Sequence, residues 1–322
     1  MEPAAFARLI KSTTDRLILG ASGAALRALG IAAAGAADHL ALELFARPRQ
    51  GLRPIAPEAP GLAAHRFQVV APKSRLAPPR RAAEASTLAV WDWGEGPTVL
   101  LVHGWNGNAA QLSPFVAPLV RAGYYVVAFD QPAHGSSPGR RATVPDFAEA
   151  VLAVGRRVGP VHAIVGHSLG GTAAALALGF GLEAERLVLL APPADVPHFG
   201  RAFASGLGLS PARTAGFMAG LTREVGGDLD ALDLRRLAPS MRSRLLVLHD
   251  RDDREVPFAH GADIAKAWPE AKLEALSGLG HRRLLRDPEV IAAATAFIQG
   301  RRWAAPARVR ADRPRTAADS RF

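Results

Sequence analysis

Residues 161–178 read VHAIVGHSLGGTAAALAL, an apolar run that turns into an alanine-rich segment around a single serine. The pattern predicts a strand over 161–165 and a helix over 172–178. The tight turn between them strains the backbone at Ser168, and glycine flanks the turn because it lacks a Cβ. The helix aims its unpaired N–H groups at whatever the serine attacks, so we interpret Ser168 as a candidate nucleophile.

Short apolar runs on both sides of this stretch alternate with helical segments. Such alternation predicts an α/β fold: a mostly parallel, doubly wound sheet with helices on both faces. The alternation of strands and helices is interrupted over 192–240. Helical runs without a convincing strand predict a cap inserted there over the strand ends. The other predicted strands are 65–70, 98–102, 124–129, 187–190, 245–248 and 272–276.

Residues 166–170 form a Gly-His-Ser-Leu-Gly nucleophile elbow in this context, and residues 88–299 resemble the α/β-hydrolase family, in particular its esterase- and lipase-like serine hydrolases. The stretch VHGWNG at 102–107 and the stretch DQPAHGSS at 130–137, which has alanine where the family usually has glycine, carry the same resemblance. The resemblance implies an oxyanion hole formed by the backbone N–H groups of Trp105 and Leu169.

The resemblance also implies which histidines carry protons. In the family order of serine, acid and histidine, the base is His281, which stands in a glycine-rich loop after the last predicted strand. His249, at a strand end, is the alternative base. His103 and His134 are expected to fix loops by hydrogen bonding, together with Asp130.

The candidate acid lies in the segment LVLHDRDDREVP at 246–257. It resembles the family pattern in which an aspartate stands three positions before Val-Pro, and counting back from Val256 gives Asp253. Asp250 and Asp252 stand in the same loop, so they remain alternative acids. If they are not the acid, they are expected to be solvated loop charges that pair with a neighbouring arginine.

The predicted cap offers apolar side chains for an acyl pocket. Packing within the cap itself is an equally good explanation of these residues. The candidates are Phe199, Phe203, Phe217 and Met218.

Composition excludes several kinds of chemistry. The chain has no cysteine, which removes disulfides, thiolate metal sites and cysteine nucleophiles. Histidines and carboxylates show no metal-ligand spacing, so we predict neither a metal nor a cofactor. Serine at the elbow excludes the aspartate-based dehalogenases of the same fold.

The net charge of +10 does not indicate nucleic-acid binding. Residues 301–322 carry half of it, and the rest forms no basic stripe interleaved with aromatic residues. The Arg-, Pro- and Ala-rich composition of 300–322 predicts a disordered basic tail.

The N-terminal part is predicted to be helical over 1–46 and to be followed by a Pro- and Arg-rich connector with one strand over 47–87. Arg27 and four glycines interrupt the apolar run, which favours a packing helix over a membrane span. We therefore expect a cytoplasmic protein, with weak membrane-surface association through 1–45 as the alternative. The oligomeric state stays open.

Together these features predict a serine hydrolase that cleaves a carboxylic ester through an acyl-serine intermediate, with a small acyl compound as its substrate. The same residues are also compatible with an acyltransferase, a thioesterase or a monoacylglycerol-type lipase. Alternatives from other classes are a non-catalytic binding protein with this fold, and a membrane-associated lipid enzyme or scaffold.

Overall fold

The computed structural model describes residues 34–48, 56–72 and 85–301, which contain one eight-stranded sheet. The strands are β1 (His65–Ala71), β2 (Ser86–Trp93), β3 (Thr98–Val102), β4 (Tyr125–Phe129), β5 (Val161–His167), β6 (Ala184–Leu190), β7 (Arg244–Asp250) and β8 (Lys272–Leu276). Their order is β1-β2-β4-β3-β5-β6-β7-β8. The β1–β2 and β2–β4 pairs are antiparallel, and the other pairs are parallel, which confirms the predicted α/β fold.

Helices cover both faces of the sheet. They are α1 (Ala34–Ala46), α2 (Val116–Arg121), α3 (Val144–Val158), α4 (Leu169–Gly179), α5 (Val196–Gly206), α6 (Pro211–Val225), α7 (Leu234–Leu237), α8 (Phe258–Ala267), α9 (Gly280–Arg283) and α10 (Pro288–Ile298). Single 3-10 segments occur at Ala109–Phe115, Leu229–Leu232, Ala238–Ser240 and Leu284–Arg286.

Burial on both faces explains why the central strands are continuous apolar runs. The strand β3, with the sequence TVLLV, is buried along its whole length. One apolar core lies between the sheet and the helices α3, α4 and α8, and a second lies between the sheet and α2 and α10. The parallel strands therefore end together at one edge, where their loops can meet.

The strand β2 was not among the predicted strands. Its sequence, STLAVWDW, pairs with β1 and β4 and is buried on both faces over 88–91. Burial on both faces removes the alternation of apolar and polar residues that marks a half-buried strand. The sheet consequently extends further from the elbow than the sequence indicated.

The chain between β6 and β7, where the cap was predicted, is helical and contributes α5, α6 and α7. The helix α1 packs against this cap, and the ring of Phe45 meets those of Phe203 and Phe217 edge to face at centroid distances of 5.1 and 5.7 Å. An ion pair of 3.4 Å joins Asp38 of α1 to Arg213 of α6. These contacts hold α1 against the cap.

Most of the predicted N-terminal segment and of the predicted basic tail lies outside the described residues. Of the predicted N-terminal helix, residues 34–46 are described and are helical. Across residues 34–48, 56–72 and 85–301, no helix combines the length and the apolarity needed to span a bilayer.

Candidate active site

Ser168 occupies a strained turn between β5 and α4. Its backbone angles are φ 51° and ψ −128°, in the region where side chains other than that of glycine are disfavoured. Its N–H donates a hydrogen bond of 2.8 Å to the carbonyl oxygen of Leu190 at the end of β6. The neighbouring strand therefore holds the strained residue in place, and such strain is typical of functional sites.

Two glycines of the elbow let three backbone segments approach closely. A Cβ on Gly166 would lie 2.5 Å from the Cα of Gly171, within the elbow itself. A Cβ on Gly170 would lie 2.2 Å from the carbonyl oxygen of His103, at the end of β3. Because the obstructing atoms belong to the backbone, no side-chain rotation can relieve these clashes.

We expect Gly170→Ala to lower the free energy of unfolding by about 3 kcal/mol or more, because the added methyl group separates α4 from the end of β3. Urea denaturation measures the loss. Gly227→Ala is the matched control, since a Cβ there meets no heavy atom within 4 Å. Equal stability of the two variants would contradict the close packing described for the elbow.

A buried carboxylate pairs with the predicted base. The Nδ1 of His281 lies 2.7 Å from Oδ2 of Asp253, and the relative exposures of the two side chains are 6% and 0%. The carboxylate accepts at this distance, so Nδ1 carries the hydrogen and Nε2 is left as the proton acceptor. The structure thus joins two predicted residues that stand 28 positions apart.

Asp253 is held in the ionised form. Burial raises the pKa of its carboxyl, but hydrogen bonds from His249 and His281 outweigh that effect and hold the pKa well below its ordinary value. The other oxygen, Oδ1, accepts the N–H groups of Glu255 at 2.8 Å and Val256 at 2.9 Å. The carboxylate is therefore fixed on both sides.

Neither of the two alternative acids, Asp250 and Asp252, makes the contact with His281. Asp250 is buried, and its carboxylate accepts the N–H of Asp252 at 2.8 Å and that of Leu279 at 2.7 Å. Asp252 has an exposed side chain. Asp250 thus ties the loop after β7 to the loop that carries His281, while Asp253 makes the contact with the imidazole.

The alternative base, His249, is fully buried behind the acid. Its Nε2 donates to the carbonyl oxygen of Val256 at 2.9 Å and lies 3.5 Å from Oδ2 of Asp253. The cavity that holds Ser168 is lined by His281 and not by His249.

His167 also supports the site, although nothing in the sequence indicated this role. Its Nε2 donates a hydrogen bond of 2.9 Å to the carbonyl oxygen of His281, and the two rings lie 4.8 Å apart. Burial and the nearby His281 lower the pKa of His167 to about 3, so the ring stays neutral. The elbow and the loop carrying the base are thereby joined directly.

Two further histidines shape the loop after β3, as predicted. The Nδ1 of His103 donates to the carbonyl oxygen of Gly104 at 2.8 Å, and its Nε2 accepts the N–H of Gln131 at 2.9 Å. The Nε2 of His134 accepts the N–H of Asn106 at 3.1 Å. Burial lowers the pKa of His103 to about 4 and that of His134 to about 3, so both are neutral acceptors.

Asp130 completes this loop system in the predicted architectural role. Its carboxylate accepts the N–H of Ala109 at 2.8 Å and the N–H of Ser136 at 2.7 Å. Together these bonds fix the turn on which Trp105 stands. In the described part of the chain, neither the N–H of Trp105 nor that of Leu169 donates to a protein acceptor, so both donors remain available at the site.

A cavity of about 520 Å³ brings these residues together, with Ser168, His281, Trp105 and Leu169 all on its wall. Its volume lies within the range of small-molecule sites. Much of the remaining wall is apolar and comes from α1 and the cap, including Leu44, Phe45, Val196, Phe199, Phe203, Leu221 and Val225. The wall from α1 had not been expected from the sequence.

Two of the four predicted pocket residues lie elsewhere. Phe199 and Phe203 line the cavity, whereas Phe217 is completely buried beside the rings of Phe45 and Phe203. Met218 follows Phe217 on α6 and is turned by about 100° around the helix axis. It lines a separate surface depression with Arg201 and Ser205. The prediction was wrong for Phe217 and Met218 because the sequence did not settle which face of α6 meets the cavity.

Comparison with known proteins finds relatives of this chain. A human protein named serine hydrolase-like protein (Homo sapiens) is 32% identical over 114 residues, which cover 33% of this chain and 56% of that protein. The chain thus spans about half the length of this curated relative.

Solved structures show the same fold at low sequence identity. The esterase from Pyrococcus furiosus superposes with a TM-score of 0.60 at 18% identity, over 79% of this chain and 97% of that one. The bromoperoxidase from Bacillus anthracis superposes with a TM-score of 0.54 at 18% identity, over 73% and 100%. The family model described as alpha/beta hydrolase family matches residues 99–294, well over half of the sequence. This chain is a member of the alpha/beta hydrolase family.

Proposed function

We propose that the protein is a serine hydrolase that cleaves a carboxylic ester through an acyl-serine intermediate. The observation that carries the proposal is the buried 2.7 Å pair of Asp253 and His281, whose imidazole opens onto the cavity that also holds Ser168. A serine hydroxyl is inert at its own pKa and needs a base, and that base needs a partner to hold its tautomer.

In the first half of the reaction, Nε2 of His281 takes the proton of the Ser168 hydroxyl as its oxygen attacks the ester carbonyl. The imidazolium that forms is stabilised by Asp253, which stays ionised because its pKa lies well below the ordinary value. The imidazolium then gives the proton to the leaving alcohol, and the acyl group remains on Ser168.

In the second half, water takes the place of the alcohol and loses a proton to the same imidazole as it attacks the acyl-serine. The carboxylic acid leaves and the serine hydroxyl is restored. In both halves the carbonyl oxygen becomes negatively charged, and the N–H groups of Trp105 and Leu169 bind it. Each such donor contributes about 3 kcal/mol to binding of the transition state.

The apolar wall supports an acyl substrate. Side chains such as Phe199 and Phe203 present hydrocarbon to the cavity beside the elbow, which suits a fatty acyl group better than a polar one. Thioester cleavage, acyl transfer to a second alcohol and monoacylglycerol hydrolysis all use the same residues. They differ in the leaving group or acceptor, and an ester panel with alcohol acceptors separates them.

A fluorophosphonate probe tests the proposal, because it reacts with an activated serine and stays attached. We expect one modified residue, Ser168, identified by peptide mapping. Ser205→Ala, which removes an exposed serine of α5, should be labelled like the wild type. Ser168→Ala should not be labelled.

Absence of labelling in the wild type, or equal labelling of Ser168→Ala, would contradict the mechanism and favour the non-catalytic alternative. A panel of p-nitrophenyl esters of increasing chain length, run beside the probe, ranks the acyl groups that the cavity accepts.

A further inference from the structure

The cavity wall contains an excess of positive charge that the proposed reaction does not use. Four arginines line it, whereas Glu255 is the single carboxylate among the lining residues that the structure describes. The arginines are Arg47, Arg282, Arg283 and Arg286. An uncharged ester has no need of them.

The ion pairs of these residues leave most of the charge uncompensated. Nε of Arg282 lies 3.2 Å from Oε1 of Glu255, so this carboxylate offsets one arginine. Arg283 donates to the carbonyl oxygens of Gly278 and Leu279, which are uncharged acceptors. These carbonyl groups do not neutralise the positive charge of Arg283 at the cavity.

Arg47 and Arg286 are both exposed, and within residues 34–48, 56–72 and 85–301 neither forms an ion pair. Their guanidinium groups can bind an anion bidentately without first breaking a salt bridge. Together with Arg283 they form what we call the arginine rim, defined as Arg47, Arg283 and Arg286.

The positions of Arg283 and Arg286 in the chain connect the rim with one part of the substrate. Arg283 and Arg286 follow His281 within two helical turns, in α9 and the 3-10 segment after it. In the proposed reaction His281 protonates the leaving alcohol, so the alcohol departs on the side of the imidazole. Much of the apolar wall of the cavity comes instead from α1 and the cap, and Arg47, one residue beyond the end of α1, lines the same cavity.

The geometry points to an ester whose alcohol portion carries a phosphate or carboxylate group, held by the arginine rim, while its acyl chain lies against the apolar wall. This inference rests on the proposed function and adds the substrate class to it. Hydrolysis then releases a fatty acid and an anionic alcohol, with water supplying the hydroxyl group of the acid and the proton of the alcohol.

Matched substrates test the inference. Octanoyl glycerol phosphate is compared with octanoyl glycerol, and octanoyl lactate with octanoyl lactamide, so that each pair differs in the anionic group. We expect kcat/KM to be about tenfold higher for at least one anionic member, which is the effect of one charge-assisted hydrogen bond. Which pair shows the preference identifies phosphate or carboxylate as the ligand.

In the double variant Arg47→Gln/Arg286→Gln, the ratio of anionic to neutral kcat/KM should fall about tenfold, and raised salt should lower it in the wild type. Arg244→Gln is the matched control. Arg244 is an exposed arginine at the first residue of β7, at the opposite end of that strand from the site, so the ratio should be unchanged. A ratio near one in the wild type, or a ratio that the double variant retains, overturns the inference.

Binding separates this inference from the proposed function. The octyl ether of glycerol phosphate cannot be hydrolysed, and calorimetry compares it with octyl glycerol ether on the wild type and on the double variant. Tighter binding of the phosphate, lost in the double variant, supports the rim even if no ester is cleaved. Equal binding of the two ethers overturns the inference about the arginine rim. If the enzyme still cleaves esters in that case, the proposed function stands without the rim.

Discussion

Ser168→Ala is expected to lower kcat for octanoyl esters by about 10⁶-fold, the largest effect that we predict for any single substitution. Without the hydroxyl no acyl-serine can form, and the acid and base then have nothing to activate but water. Steady-state hydrolysis of p-nitrophenyl octanoate, with acid release followed by chromatography, measures the loss.

The variant should remain folded, because the hydrogen bond that holds residue 168 to β6 is donated by its backbone N–H. Binding of the octyl ethers by Ser168→Ala verifies that the cavity is intact. Ser205→Ala should keep wild-type activity. Hydrolysis by Ser168→Ala within tenfold of the wild-type rate would show that another group attacks the ester.

Asp253→Asn is expected to lower kcat by about 10⁴-fold. An amide can present its NH2 group to Nδ1 of His281, which favours the tautomer with the hydrogen on Nε2 and removes the proton acceptor from the cavity. It also carries no charge to stabilise the imidazolium. The rate is measured with the same ester, and circular dichroism verifies the fold.

The neighbouring aspartates are the matched controls for this prediction. Asp252→Asn changes an exposed side chain and should leave kcat unchanged. Asp250→Asn should cost about tenfold, because it weakens the hydrogen bond from the N–H of Leu279, through which Asp250 ties the loop of His281 to the loop after β7. A larger loss in Asp250→Asn than in Asp253→Asn would make Asp250 the acid.

Much of the fold could be predicted because its information is local. The strands of the parallel sheet are short apolar runs, and the predicted positions of β3 and β8 coincide with the observed ones. The strands β5 and β7 extend further than predicted, to His167 and Asp250. Polar residues at the end of a strand resemble loop sequence, so the sequence pattern does not assign them to the strand. The strand β2 lacks an alternating pattern, since it is buried on both faces.

Those residues of the candidate site that stand in sequence motifs could be predicted. Ser168 stands in the elbow, and Asp253 and His281 stand at characteristic positions relative to Val256 and to the last strand. Their pairing is a contact through space, which the sequence suggested through the family resemblance and which the distance of 2.7 Å now supports.

Other parts of the site depend on tertiary contacts that leave no local signal. His167 meets the carbonyl group of His281, 114 positions away. The wall formed by Leu44 and Phe45 depends on how α1 docks against the cap. For Phe217 and Met218, the sequence predicted a helix but not the direction of each side chain around its axis.

The helix α1 precedes the whole sheet in the chain, whereas the loops of Asp253 and His281 follow most of it. Under the proposed function, the residues of α1 that line the cavity can therefore be exchanged separately from those that would break the ester bond. Under the proposed function, grafting residues 34–46 from a related chain is expected to alter chain-length selectivity, since it reshapes the cavity while Arg47, Ser168, Asp253 and His281 stay unchanged. The selectivity of the proposed reaction could thus be changed by exchanging a whole segment as well as by point substitution.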